Sequence, residues 1–466
     1  MVVALCFCLC LAVGTASAAD VTGAEAPEGS LKDTILSTLY YTPDIKQFQE
    51  YRQAAEHDVN RARSGWLPRV DARMGWGVEQ WSSENTRNNK ARGYSQNSHR
   101  FYERSEASIV VQQTIWDGLA TSSRHAMGVA RLDSAVQRLL DNSEAATLDA
   151  LLAHVEVYRQ LRLVALAERN VQNHKDILKS QKDRQRHGAA VIADVTQTQS
   201  RLSRAQASLT ETRAALEVAM AQYKRLTGKA PVNLEAPYAP QSPYPSLETL
   251  LANSRNNNPK IKALEADVEA AKAQIKLDQS AHHPQVSVEA GPTYSWQAQG
   301  SNTHDWGTSV MLRVSWNLFN GFYDKYNVKG STARMRQARE QLNSRTHLVV
   351  QEGVSSWSYL LSAKEQSKFF ETAVDNSART RDAYREQFNA GQRSLLDILD
   401  AENELYSSSI QLVTSRLNEI AIQYKLKALG GELLASMDFN PGLLNINADN
   451  IAHGRGKYVN TNVARD

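Results

Sequence analysis

Between residues 70 and 79 the chain alternates strictly. Val70, Ala72, Met74, Trp76 and Val78 fall on one side, and Asp71, Arg73, Gly75, Gly77 and Glu79 on the other. After a polar stretch from Ser82 to Arg100, Ala107, Ile109, Val111 and Ile115 oppose Glu106, Ser108, Gln112 and Thr114. Two further runs, Val286–Gln297 and Trp306–Leu318, repeat the pattern. A period of two predicts four β-strands, each about as long as a tilted membrane strand of roughly 9–11 residues. One apolar and one polar face suits an outer-membrane barrel, although a half-buried strand of a soluble sandwich shares the alternation. Placement of Trp76, Trp116, Trp296 and Trp316 favours the membrane.

Elsewhere the period is helical. Helices are predicted over Leu31–Ser64 (with a kink at Pro43), Leu119–His187, Val191–Thr227, Leu247–Ala281, Phe322–Ala390 and Ser394–Leu429. Leu132, Val136 and Leu139, then Leu148, Leu152 and Val155, have heptad-like spacing. Each of the two longest helices spans about 100 Å at the rise of an α-helix. In each half the two shorter helices together match the long one in length. A long helix beside two stacked short ones makes a rod with strands at one end, too elongated for a single globular core.

The chain is also written twice. Ser30-Leu31, Pro43 and Pro68 recur 216 positions later as Ser246-Leu247, Pro259 and Pro284. Ile115-Trp116-Asp117-Gly118, Gly188 and Asp194 recur 203 positions later as Leu318-Phe319-Asn320-Gly321, Gly391 and Asp397. The offsets differ by 13, so the first copy carries one longer loop between about residues 80 and 105. Residues 30–228 and 246–431 read as two structural repeats, 229–245 as a Pro-rich linker around the middle of the rod, and 432–466 as a polar tail. Four strands cannot close a barrel, and an open edge cannot face lipid. The strands must therefore be contributed to a shared barrel, twelve-stranded in a trimer or eight-stranded in a dimer.

Composition narrows the setting. Residues 1–19 read as a secretory signal, with an apolar run from Val2 to Val13 and a small-residue site at Ala16-Ser17-Ala18, although no Lys or Arg precedes the run. Cys6, Cys8 and Cys10 all lie inside it, which leaves the mature part without a disulfide, a thiolate metal site or an anchor cysteine. Net charge is +3, no case for nucleic acid. No catalytic or cofactor motif appears, and His282-His283 reads as incidental to a helix end. The expected protein is not an enzyme and carries no cofactor or metal.

Several segments together resemble the TolC family of outer-membrane channel-tunnels over roughly residues 30–431. They are Asn257-Asn258-Pro259, Leu318-Phe319-Asn320-Gly321, Leu226-Thr227-Gly228 and, most specifically, the run Ala390-Gly391-Gln392-Arg393-Ser394-Leu395-Leu396-Asp397-Ile398-Leu399-Asp400-Ala401. The resemblance implies an α+β membrane protein: a homotrimer whose twelve-stranded outer-membrane barrel continues into a long periplasmic α-helical coiled-coil tunnel. It implies a passive exit duct serving an inner-membrane ABC or other pump through a periplasmic adaptor. Type I protein secretion is the expected task, small-molecule efflux the alternative. A secreted coiled-coil structural or adhesion protein is the remote reading, and it leaves the strands unexplained.

By the same resemblance Asp397 and Asp400, spaced to share a helix face, line the periplasmic constriction. Six carboxylates in a ring would raise some pKa values and attract cations. An acidic first helical turn is also favoured by the helix dipole alone. Arg393 and Asp194 are expected as an entrance latch, with Phe388 where the family has an aromatic hydroxyl. Gly188 and Gly391 cap the long helices, and the tips His187–Val191 and Asn389–Ser394 are the expected adaptor contacts. Gly118 and Gly321 are expected at the strand-to-helix turns.

Overall fold

The computed structural model describes residues 29–81, 100–188, 190–240, 244–296 and 304–437, with a few isolated positions between. The expected signal at 1–19, most of the longer first loop and nearly all of the tail beyond 437 lie outside the described residues. In chain order the elements are α1 (Leu31–Tyr41), α2 (Pro43–Arg63), β1 (Arg69–Trp81), β2 (Arg100–Trp116), α3 (Ala120–Arg186), α4 (Ile192–Thr227), α5 (Leu247–Asn257), α6 (Pro259–Gln279), β3 (Gln285–Trp296), β4 (His304–Ser315), α7 (Tyr323–Asn389), α8 (Leu395–Leu429) and a last turn, α9 (Leu433–Ser436).

Proline drives the residue before it out of the helical region. Thr42 before Pro43 is therefore extended, at φ −63° and ψ 120°, and Asn258 before Pro259 is nearly superimposable at φ −60° and ψ 119°. The single kinked helix expected over 31–64 is thus two helices, each free to begin anew. Ser30 accepts from the Asp33 N–H at the start of α1, and Asn258 from the Lys260 and Ile261 N–H groups at the start of α6.

The strands form one antiparallel sheet in the order β1-β2-β3-β4. Met74 stands opposite Ala107, Ala107 opposite Tyr294, and Tyr294 opposite Trp306. Val70, Val111, Ala290 and Val310 form a second such row. Opposed residues share a face, so one face is apolar across all four strands. The chain leaves that face bare: Met74 is 86% exposed, Trp76 77% and Trp306 80%. The other face is polar, with Arg104 donating to Glu79 and to Glu106 at 2.6 Å each and Arg313 to Glu289 at 2.8 Å.

Two details depart from the alternation. The register shifts between Thr114 and Trp116, so Trp116 rather than Ile115 stands opposite Val286; a bulge puts two residues against one. The fourth strand stops at Ser315 rather than Leu318. Its last partner is Gln285, and the residue before that, Pro284, has no N–H to extend the ladder.

Helix packing follows the same order as the sheet. α3 lies against α2 and α6, and α6 against α7, so α2-α3-α6-α7 continues β1-β2-β3-β4. α4 folds back on α3, α8 on α7, and α3 also meets α8. The main core sits where α1 and α2 cross α3, with Leu31, Ile35, Ile45, Leu139, Leu151 and Tyr424 fully or almost fully buried. Smaller clusters are strung along the rod.

β2 and β4 each enter a long helix through a two-residue left-handed turn. Gly118 and Leu119 have φ +64° and +71°, Gly321 and Phe322 +68° and +65°. The turn is closed by Ala120 N–H to Asp117 O at 3.2 Å, and by Tyr323 N–H to Asn320 O at 3.4 Å. Glycine adopts this conformation freely, whereas Leu119 and Phe322 adopt it against their own Cβ atoms. The expectation named only the glycines.

Candidate functional site

The end of the rod away from the sheet is built from two helical hairpins. α7 ends in a Schellman turn: Gly391 is left-handed at φ +74°, and Gln392 N–H reaches Gln387 O at 2.8 Å. α3 ends at Gly188, φ +75°, with Gly188 N–H to Gln185 O at 3.0 Å. A Cβ at either glycine would meet nothing within 4 Å, so backbone conformation and not space requires glycine there.

α8 starts in a capping box. Ser394 Oγ accepts from Asp397 N–H, and Asp397 Oδ2 accepts from the Ser394 N–H at 3.3 Å and from its hydroxyl at 2.9 Å. Arg393 lies 3.7 Å from the same Oδ2, donates to Gln387 Oε1 at 3.0 Å, and stacks on the Tyr384 ring at 4.3 Å. Phe388 packs with Ile177, Leu395, Ile398 and Leu399, and the Arg184 guanidinium covers its ring at 4.4 Å. Tyr384, one turn before Phe388, thus supplies the aromatic partner of Arg393.

Asp194 stands in the first turn of α4, where the helix dipole favours an acid. Among the described residues it has no ion pair, so one chain does not bring Arg393 and Asp194 together. Asp400 is mostly exposed and pairs with Arg201 of α4, Nη2 to Oδ1 3.0 Å. The structure therefore sets Asp397 and Asp400 one turn apart on α8 with a different arginine at each.

Behind them lies a charged cluster not expected from the sequence. Glu402, 2% exposed, accepts from Asn173 Nδ2 of α3 at 2.9 Å and faces Arg385 and Arg381 of α7 at 3.5 and 3.8 Å. Beside it His174 is buried with Nδ1 unpartnered, and burial lowers its pKa, with Glu402 opposing. A signal was present: Leu395, Ile398 and Leu399 set an apolar spacing that Glu402 continues with a charge. A buried carboxylate at such a position demands partners. Its position ties three helices, α3, α7 and α8, together just beyond the tip.

The polar face of the sheet and the acidic start of α8 are therefore opposite ends of one elongated molecule, and the described residues hold no cluster of metal-ligating side chains. No described helix is long and apolar enough to cross a membrane, which leaves the sheet as the element with a lipid-compatible face.

The outer membrane efflux protein family matches residues 35–229 and 250–432. The chain is 25% identical over 332 residues to outer membrane efflux protein BepC of Brucella suis biovar 1 (strain 1330), covering 70% of this chain and 72% of the relative. It is 24% identical over 410 residues to outer membrane protein TolC of Escherichia coli (strain K12), covering 84% and 80%. Alkaline protease secretion protein AprF of Pseudomonas aeruginosa is 24% identical over 345 residues, covering 72% and 71%. Among solved structures, the outer membrane protein VceC of Vibrio cholerae superposes with a TM-score of 0.73 at 17% identity, covering 86% of this chain and 96% of that one.

Proposed function

Because the chain belongs to the outer membrane efflux protein family, and so is a channel protein of the outer membrane, we propose that three copies close their sheets into one twelve-stranded barrel. The helices then continue it as a periplasmic tunnel, which conducts cargo passively from an inner-membrane pump and a periplasmic adaptor. One observation carries this reading. β1 and β4 each pair on one side only among the described residues, at the edges of a sheet whose apolar face is bare. In lipid an unpaired edge costs several kcal/mol per backbone group, so the edges must meet other copies.

Residues 30–228 and 246–431 are on this reading two versions of one unit. Three chains then make six quasi-equivalent units around the axis, with residues 229–245 as a belt outside. Asp397 and Asp400 line the narrow periplasmic entrance. Arg393 and Asp194, apart within one chain, are latch partners across neighbouring copies, with Phe388 as apolar packing. The tips at Gly188 and Gly391 meet the adaptor, and Gly118 and Gly321 turn the barrel into the tunnel.

The cargo is a protein exported in one step. The AprF relative, named for alkaline protease secretion, supports that class. Deleting the gene should abolish release of a protein into the medium; loss of drug resistance alone, with export intact, would assign the duct to small molecules instead.

The duct itself is tested by native mass spectrometry and planar-bilayer recording of detergent-extracted protein. A mass of three chains and small cation-selective currents are expected. Divalent cations should block them in the wild type and not in Asp397→Ala/Asp400→Ala. A water-soluble monomer without conductance would overturn the reading.

A further inference from the structure

We propose that Arg201 is a selectivity-determining residue of this duct: by pairing with Asp400 it cancels half the acidic charge of the constriction and fastens the first hairpin to the second at that level. The inference rests on the assignment of Asp397 and Asp400 to the constriction.

Arg201 and Asp400 are 199 positions apart, on α4 and α8, and meet at 3.0 Å. The Arg201 side chain is only 28% exposed, whereas Asp400 is 60% exposed. Its neighbours on α4, Thr198, Leu202 and Ala205, are buried, so the aliphatic stem leaves a packed surface and delivers the guanidinium outward to Asp400. The alternative partner is taken: Glu402 is already faced by Arg381 and Arg385 and bonded to Asn173. The pairing at Asp397 is of another kind. Arg393 is four residues away on the same segment, at 3.7 Å, and would travel with Asp397 in any motion of α8. Of the ion pairs at Asp397 and Asp400 among the described residues, the Arg201 pair is the one that couples ring charge to the relative position of the two hairpins. Counted from carboxylates alone, three copies put six negative charges at the entrance; three Arg201 guanidinium groups offset the three at Asp400, as Arg393 offsets those at Asp397 from its own segment.

Reversal potentials in asymmetric KCl test this on the assembled trimer. Removing the guanidinium in Arg201→Gln should raise the potassium-to-chloride permeability ratio about two- to fivefold at low salt, the size of one partly exposed charge pair. The effect should fade near 1 M salt, where the Debye length is about 3 Å. Arg201→Lys should hold the wild-type ratio. Asp400→Asn should shift it the other way, and Arg201→Gln/Asp400→Asn, with both charges removed, should return it towards wild type. A merely structural arginine would not give opposite signs that cancel.

If Asp397→Ala/Asp400→Ala changes selectivity while Arg201→Gln does not, the constriction stands and the role of Arg201 falls. If neither variant changes it, the constriction assignment falls and takes this inference with it. Where Arg201→Gln does not assemble as a trimer, Asp400→Asn and the double variant decide: equal ratios in the two overturn the proposal.

Discussion

His154 is wholly buried in α3, yet both ring nitrogens are used. Its Nε2 lies 2.9 Å from the Glu235 carbonyl, which can only accept, so Nε2 carries the hydrogen. Nδ1 then accepts from the Thr34 hydroxyl at 3.0 Å, and Thr34 accepts in turn from Tyr223 at 2.9 Å. Four segments, α1, α3, α4 and the linker, are joined through one neutral imidazole. Burial holds His154 below its ordinary value of 6.5, with the Glu235 carbonyl opposing. The unfolded chain therefore binds the proton more readily, and stability is lost as pH falls below about 6.5. Thermal melting of the detergent-solubilised protein should show this acid-side loss, and His154→Gln should flatten it. Glu144 has the opposite sign. Burial raises it to about 8, although it accepts from the Leu433 and Leu434 N–H groups. It weakens the fold as pH climbs from 4.5 towards that value, so Glu144→Gln should lessen a loss on the rising-pH side, whereas His154→Gln acts on the acid side. None of this was legible in the sequence. A histidine within a helical run has no visible partner when that partner is a carbonyl 81 residues away.

At the scale of elements, most of the pattern was legible because it is local. Period-two runs became strands, and the long helices end within one residue of where glycine and the apolar spacing stop them. The break before Pro43 is local too; the rest of what was missed depends on partners. The bulge at Thr114 and Trp116 exists only in register with β3, and the early end of β4 only because Pro284 lies across from it. The paired turns into α3 and α7 give a comparison within one chain. A Cβ on Gly118 would come within 2.7 Å of His283 Cβ and 2.8 Å of Ser280 O, whereas one on Gly321 would meet nothing within 4 Å. Gly321→Ala should therefore cost only the left-handed backbone, about 1–2 kcal/mol. Gly118→Ala should cost clearly more, because backbone must move as well. Melting temperatures of the two variants check the ranking, and equal losses would contradict it.

On the scale of the whole molecule, the order α2-α3-α6-α7 repeats the order β1-β2-β3-β4, so barrel and tunnel are two heights of one wall. The duplication made that wall readable from the sequence as one part of a ring. The charge pairing at the end away from the sheet was not readable, because Arg201 and Asp400 belong to different repeats and nothing local links them. Closing the wall joins β4 of one copy to β1 of the next, and cysteines placed on those two edges should form covalent trimers after oxidation. Monomeric product alone would argue against closure through these edges.

The bare sheet also bears on how such a chain reaches its destination. A single copy in water carries an apolar surface with two open strand edges, a template for pairing with any other chain. Its lifetime before meeting two siblings is thus a period of aggregation risk, and yield should depend on encounter rather than on the speed of folding. Diluting the chain during refolding into detergent should slow the appearance of trimer while leaving the gain of helical signal unchanged.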